Sequence, residues 1–204
     1  NSIKFGLHPS QESKHLGLFP EQEPHWRFLT QHLKAGDRLL NLFAYTGSAS
    51  LIAAKAGAKV THVDASRPAV DWARDNAKLS GMEDAPIRWI VEDAMNYLRR
   101  EEKRGSRYEA ILLDPPSFGR GPKGELWKIE KIAELIDACA AVLSDTPRLM
   151  ILTMYNLEAS ALSLANLLKT PKLSASVDVG ELVLPEAASG RALPLSLYGR
   201  ARWQ

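Results

Sequence analysis

From about Asp37 onward, short apolar runs alternate with stretches whose apolar residues recur every three to four positions. Apolar runs of five to eight residues bounded by turn residues read as buried strands, and the longer periodic stretches read as helices. "RLLNLFA" (Arg38 to Ala44) is a first strand, and "GSASLIAAKAG" (Gly47 to Gly57) a helix of small residues closed by a glycine. "KVTHVD" (Lys59 to Asp64) is a second strand. The helix Ser66 to Gly81 follows, with Ser66 as cap, a proline in its first turn and glycine at its end. Strands are expected at Pro86 to Asp93 and Glu109 to Asp114, separated by a helix that begins at Ala94. A fourth helix is expected from about Trp127 to Leu143, a fifth strand at Arg148 to Tyr155, and a helix at Leu157 to Lys169.

The end of the chain breaks this rhythm. Ser174 to Pro185 and Pro194 to Trp203 both read as strands, joined by only about eight residues. A parallel crossover needs about a dozen residues or more, so this last pair is expected to be antiparallel. The result is an α/β fold: a mostly parallel sheet of seven strands with the last one reversed, and helices on both faces. That is the Rossmann-like layout of the class I methyltransferases rather than of the ordinary dinucleotide-binding fold. Two units are expected, a leading segment over residues 1–36 and the main domain over 37–204. The leading segment is rich in His, Pro and Gly and is expected to be a hairpin or loop packing over the cofactor site.

Ligands of open α/β sheets bind beyond the carboxyl ends of the strands, where the strand order reverses. Four such ends carry chemistry. The first strand runs into "NLFAYTGSAS", where Gly47 lets the backbone approach a ligand and Asn41, Phe43, Tyr45 and Thr46 add side chains. Asp64, followed by Ala65, ends the second strand where a carboxylate would accept ribose hydroxyls. Asp93, followed by Ala94, ends the third, placed to accept from an adenine amino group, to cap the next helix, or both. Adenine, ribose and a nearby anion-binding turn describe S-adenosylmethionine.

The fourth strand ends in "LLDPPSF" (Leu112 to Phe118). A planar amino nitrogen is a poor nucleophile because its lone pair is delocalised. Acceptors on its hydrogens favour the pyramidal form. Asp114 supplies a carboxylate, and Pro115 and Pro116 supply carbonyls with no competing amide donor. Phe118 supplies a face on which a flipped base would stack. The plainer alternative is a strand terminator. The following "GRGPKGELWKIEK" is expected to be a mobile lid aiming Arg120, Lys123 and Lys128 at phosphates, or else a long surface connection.

Several chemistries are disfavoured. The first turn lacks G-x-G-x-x-G, and no G-x-x-x-x-G-K-[ST] occurs, which argues against nicotinamide and P-loop sites. The five histidines and the single Cys139 show no ligand spacing, so no metal is expected. One cysteine excludes an internal disulfide and fits a reducing compartment, and no apolar run approaches a bilayer span, so a cytoplasmic protein without membrane contact is expected. The chain has 204 residues, 45% of them hydrophobic and 25% charged. A net charge of +2 is too mild to demand nucleic acid on its own. The chain opens on Asn1 without an initiator methionine, as a fragment lacking an upstream domain would.

"LLNLFAYTGSASLIAAKAGAKVTHVDASRPAVDWARDNAKLSG", "VEDAMNYL" and "ILLDPPSF" resemble the bacterial class I methyltransferases of large-subunit ribosomal RNA, the group that makes 5-methylcytosine and 7-methylguanosine. The resemblance implies S-adenosylmethionine as cofactor and RNA as substrate. It implies that the Tyr45 to Gly47 turn holds the methionine end, Asp64 the ribose and Asp93 the adenine, with Asn76 and Asp114 also at the cofactor. Phe19 and Gln22 would close over it from the leading segment. Members that methylate carbon-5 of cytosine carry a cysteine after the fifth strand, for covalent activation. Here that stretch is "LTMYNLEAS", so transfer to a nitrogen is expected instead. Alternatives are a methyltransferase acting on a protein amide or small molecule, or a non-catalytic module that keeps the cofactor pocket.

Overall fold

The computed structural model describes residues 2–8, 16–120, 124, 126–155, 159–169 and 175–203. A 3₁₀ turn (Pro20–Gln22) leads into α1 (Glu23–His32), followed by β1 (Arg38–Leu42), α2 (Ser48–Lys55), β2 (Lys59–Asp64) and α3 (Arg67–Leu79). Then come β3 (Ile87–Val91), α4 (Ala94–Lys103), β4 (Ala110–Leu113), and a small pair, β5 (Phe118–Arg120) and β6 (Leu126–Lys128). The chain ends with α5 (Ile132–Ala141), β7 (Leu149–Met154), α6 (Ala161–Leu168), β8 (Ser176–Pro185) and β9 (Ala192–Arg202).

The main sheet has seven strands in the order β3-β2-β1-β4-β7-β9-β8. β1, β2, β3, β4 and β7 are parallel, and β9 runs antiparallel to both β7 and β8. The expected seven-stranded sheet with a reversed last strand is therefore the observed one. β9 begins at Ala192, ahead of Pro194, and tolerates that proline because the β8–β9 register shifts between Leu182 and Val183.

The period-two pattern sorts each central strand between two cores. Leu39, Ala110, Leu112, Leu149 and Ile151 pack with Leu29 of α1 and Ala49 and Ala53 of α2. Their neighbours Leu40, Leu42, Ile111, Leu113, Met150 and Leu152 pack with Tyr97 and Leu98 of α4, Leu135 and Ile136 of α5, and Leu164 of α6. Helix starts follow the capping residues: Ser66 Oγ accepts from Ala69 N at 3.3 Å, and Asp93 Oδ1 from Asn96 N at 2.9 Å.

Two expectations change. Residues expected to continue the fourth helix back to Trp127 form instead the β5–β6 hairpin, in which Gly119 pairs with Trp127. The apolar spacing of Trp127, Ile129 and Ile132 imitates a helical stripe, but the indole is buried and its Nε1 donates to Pro116 O at 2.7 Å. The expected lid is thus a hairpin where it is described: Arg120 ends β5, Lys128 ends β6, and Lys123 lies outside the described residues. The leading segment, expected as hairpin or loop, contains α1. Pro20 precedes it and Pro24 sits in its first turn, where proline is tolerated, while His32 ends it.

Residues 2–8 run as an extended strap along α3. Trp72 Nε1 donates to Gly6 O at 3.0 Å, Gly6 N donates to Asn76 Oδ1 at 2.9 Å, and Lys4 exchanges hydrogen bonds with Ser80. His8 N reaches back to Leu16 O at 3.1 Å. Gly17 closes this arrangement with φ near +101°, and an added Cβ there would stand 2.1 Å from Trp72 Cζ2. Its carbonyl also accepts from Thr46 Oγ1, which ties the strap to the β1–α2 turn. Gly17→Ala is expected to lift the strap from Trp72 and lower stability by about 1–3 kcal/mol. Urea unfolding followed by tryptophan fluorescence checks this, and an unchanged midpoint would show that the strap bears no load.

Candidate active site

The strand order reverses between β1 and β4, and a large concavity opens above that point. Its volume is about 490 Å³, within the range of small-molecule sites. Every parallel strand contributes its carboxyl end: Phe43 and Tyr45 after β1, Asp64, Ala65 and Ser66 after β2, Glu92, Asp93 and Ala94 after β3, Asp114 and Pro116 after β4, and Tyr155 after β7. Phe19 from the leading segment and Trp127 from the hairpin complete the wall.

The turn after β1 is strained. Phe43 and Tyr45 have φ of 56° and 47°, the left-handed region that L side chains avoid at a cost of about 1–3 kcal/mol each. Several bonds hold it there. Tyr45 N donates to Asp64 Oδ2 at 2.8 Å, Ala44 N to Val63 O at 3.1 Å, and Asn76 Nδ2 to Thr46 O at 3.0 Å. Gly47, at φ of 85°, starts α2, and a Cβ there would press to 2.9 Å on Ala73 Cβ. Asp64 Oδ1 accepts a second backbone bond, from Ser66 N at 2.8 Å. A carboxylate offers about four lone-pair sites, so two remain for a ligand. Burial pushes the Asp64 pKa up, and the two amides pull against that.

Asp114 stands at the centre. Gln22 Nε2 donates to its Oδ2 at 3.3 Å, and the same nitrogen lies 2.9 Å from the Tyr155 hydroxyl and 3.5 Å from Thr153 Oγ1. Asp114 Oδ1 is buried and has no hydrogen-bond partner among the described residues. Burial, then the negative charge of buried Glu21, push the Asp114 pKa up to about 7 against the opposing bond from Gln22. Phe19 packs against both Tyr45 and Tyr155, with ring centroids 5.6 and 6.3 Å away.

Of the residues singled out from sequence, Phe19, Phe43, Tyr45, Asp64, Ala65, Asp93, Ala94, Asp114 and Pro116 line this cavity. Gln22, Asn41 and Thr46 line an adjoining recess of about 50 Å³. Asn41 is committed to the core: its Nδ2 donates to Ser50 Oγ at 2.9 Å, and Ser50 Oγ lies 3.0 Å from His62 Nδ1. Gly47, Asn76, Pro115 and Phe118 are not among the lining residues. Gly47 and Asn76 shape the turn from behind, Pro115 is buried, and Phe118 stands 56% exposed on β5. The Pro116 carbonyl, expected as an open acceptor, is engaged by Trp127. Sequence reasoning passed over Tyr155 and Trp127 as lining residues. Tyr155 follows a parallel strand and obeys the same strand-end rule as the aspartates; Trp127 carried only a misleading helical spacing.

The lining carries four carboxylates, Asp64, Glu92, Asp93 and Asp114, and among the described residues no lysine or arginine. Such a wall suits a ligand without phosphate that bears positive charge. S-adenosylmethionine, a nucleoside with a sulfonium and an ammonium, has that character, and a pyrophosphate dinucleotide does not. Among the described residues no group of three or more His, Cys, Asp or Glu side chains could hold a metal, and no helix is long and apolar enough to cross a membrane.

Comparison with known proteins agrees with this chemistry. Over 103 residues the chain is 43% identical to a ribosomal RNA large subunit methyltransferase K/L of Syntrophotalea carbinolica, covering 50% of this chain and 14% of that protein. Over 124 residues it is 35% identical to a ribosomal RNA large subunit methyltransferase I of Aeromonas salmonicida, covering 60% and 28%. The chain therefore spans less than a third of the length of these curated relatives. Among solved structures, the SAM-dependent methyltransferase from Agrobacterium tumefaciens superposes with a TM-score of 0.88 at 45% identity, over 93% of this chain and 64% of that one. A protein described as a methyltransferase and complexed with SAH shares the fold, with a TM-score of 0.76 at 22% identity over 92% of this chain and 50% of that one. Residues 1–160 match the family of S-adenosylmethionine-dependent methyltransferases, and the chain belongs to that family.

Proposed function

We propose that the protein transfers a methyl group from S-adenosylmethionine to a nitrogen of a base in RNA, ribosomal RNA foremost, by direct in-line displacement. The observation that carries the reading is Asp114: a half-buried residue at the end of β4, with Oδ2 held by Gln22 and a buried Oδ1 that has no partner among the described residues. An orphaned buried acceptor needs a donor, and a substrate amino group supplies one. The names of the curated relatives support RNA as the substrate class. The same reading puts the protein in the cytoplasm, with its RNA.

In this reading Asp64 holds the ribose hydroxyls with its two remaining lone-pair sites. Asp93, whose Oδ1 caps α4, presents its other oxygen to the adenine amino group, flanked by Ala65 and Ala94. The Tyr45 to Gly47 turn and Phe43 meet the methionine end, and Phe19 and Gln22 close over it. When bound, the cofactor supplies an electrophilic methyl on a sulfonium. Asp114 Oδ1 accepts an N–H of the substrate, which localises the nitrogen lone pair for attack. The same oxygen takes up the proton that the nitrogen sheds after transfer. A carboxyl with a pKa near 7 is suited to accept it at neutral pH. Because Trp127 engages the Pro116 carbonyl and Pro115 is buried outside the lining, the acceptor that faces the substrate is Asp114. Phe118, exposed on β5 between the lining residues Ser117 and Gly119, stacks on the extruded base. Positioning supplies the rest of the acceleration.

The test is methyl-labelled cofactor incubated in parallel with unmodified large-subunit ribosomal RNA, total protein and a metabolite extract. Label in RNA, digested to one nucleoside methylated on nitrogen, is the expected result; label only in protein or metabolites discards the RNA substrate. Asp114→Ala is expected to keep SAH affinity within a few-fold and to lose roughly 10²–10³ in turnover. If the variant turns over like the parent, Asp114 has no part in the chemistry.

The raised Asp114 pKa also predicts a pH effect on the ligand-free protein. An ordinary Asp titrates near 3.9, so between about pH 4 and 7 the folded state holds a proton the unfolded chain has lost. Stability is then lost as pH rises through that window. Asp114→Asn removes this loss, so its urea midpoint is expected to match the parent near pH 4 and exceed it by pH 8. A variant less stable than the parent at pH 8 would contradict the assignment.

A further inference from the structure

The contact between Gln22 and Tyr155 has a direction. Gln22 Nε2 is a donor only, so at 2.9 Å the Tyr155 oxygen accepts from it. The orientation of the amide follows from its neighbour: turned over, Gln22 would set its carbonyl oxygen against the Asp114 carboxylate instead of donating to it at 3.3 Å. The Tyr155 hydroxyl proton therefore stays unused by this bond. Among the described residues Gln22 is the hydroxyl's hydrogen-bond partner, and no described acceptor takes that proton. Burial and the Asp114 charge push the Tyr155 pKa up, so the group keeps its proton.

Tyr155 and Asp114 both line the main cavity, and Asp114 Oδ1 is buried with no partner among the described residues. Because Asp114 Oδ2 and the Tyr155 oxygen share one nitrogen, at 3.3 and 2.9 Å, they are at most about 6 Å apart. One amide thus gathers the Asp114 carboxylate and the Tyr155 hydroxyl at the same wall, an acceptor and a donor both open to a substrate. Such a pair is complementary to a planar edge that carries an N–H next to a lone pair. An exocyclic amino group beside an unprotonated ring nitrogen has that edge; an aliphatic amine does not.

We propose that Tyr155 is a specificity-determining residue that donates its hydroxyl proton to the acceptor atom adjacent to the amino nitrogen engaged by Asp114. The inference rests on the reading of the cavity as a site of nitrogen methylation, and it narrows the substrate to an exocyclic amino group flanked by an unprotonated ring nitrogen. Tyr155 stands at the strand end where the cytosine carbon methyltransferases of the resembled group carry a cysteine. A hydroxyl that reads an edge there replaces a thiol that attacks one.

The test begins with the labelled nucleoside from the ribosomal RNA assay. A short RNA carrying that site is made twice, once natural and once with the neighbouring ring nitrogen replaced by C–H. The parent protein is expected to lose about ten- to hundredfold in kcat/KM on the replaced RNA, the cost of leaving a buried donor unpaired. Tyr155→Phe is expected to start at that lower rate on natural RNA and to be indifferent to the replacement. Its SAH affinity, measured by calorimetry, should stay within a few-fold of the parent, which separates a lost contact from a damaged pocket. Equal losses by both proteins on the replaced RNA, or a Tyr155→Phe as fast as the parent, would overturn the assignment, as would a methyl found on carbon or on a ring nitrogen. A parent protein that labels no RNA brings down the underlying reading. That outcome differs from an active parent whose Tyr155 is dispensable.

Discussion

The Asp64 carboxylate accepts hydrogen bonds from the backbone amides of Tyr45 and Ser66, and the pocket has its shape because of that grip. Phe43 and Tyr45 would relax out of the left-handed region if nothing held the turn between them. One carboxylate at the end of β2 clamps the turn at the end of β1, and Asn76 from α3 and the Gly17 carbonyl hold the next residue, Thr46. Strain that would otherwise be spread through a flexible loop is thereby fixed where Phe43 and Tyr45 face the cavity. The same carboxylate lines the cavity with lone pairs to spare, so the group that builds the site also faces it.

A second tether brings the leading segment to the chemistry. Gln22 sits at the start of α1, and α1 is anchored on the far side of the sheet by His25 and Arg200. Arg200 donates to His25 Nδ1 from Nε and Nη2, at 3.1 and 3.0 Å, with its guanidinium over the rings of Phe28 and Tyr198. Burial and the Arg200 charge push the His25 pKa down to about 3, so the imidazole stays neutral and can accept. Three residues before His25, the Gln22 amide reaches Asp114 and Tyr155. The last strand of the sheet thus helps to set the position of a group at the ends of β4 and β7.

Electrostatics gives the cavity its selectivity. Four carboxylates without a described cation in the wall repel phosphate and favour a positively charged nucleoside. The cost appears at Asp114, where burial and the neighbouring Glu21 raise the pKa into the physiological range. A carboxyl poised there can hold a substrate N–H and also accept a proton.

The sheet, its reversed last strand and the strand-end aspartates were all legible in the sequence, because they follow from local pattern. Strand and helix periods are set by backbone geometry, and the short link before β9 rules out a parallel crossover whatever surrounds it. Side chains at strand ends then fall on one edge of the sheet by topology alone. What the residues could not reveal depends on contacts across long separations. Gln22 meets Tyr155, 133 positions later, and Trp127 takes the Pro116 carbonyl by folding back in a hairpin that its spacing disguised as a helix. Asn41 read as a ligand contact because it stands near a glycine turn, and Asn76 because the resemblance implied it; the fold binds Asn41 into a core chain with Ser50 and His62 and uses Asn76 as a brace. Sequence determined which strand ends form the site. Only tertiary packing decided which polar groups were consumed in building it and which, like Asp114 Oδ1 and the Tyr155 proton, have no partner among the described residues, because hydrogen-bond satisfaction is a property of the assembled neighbourhood and not of the residue.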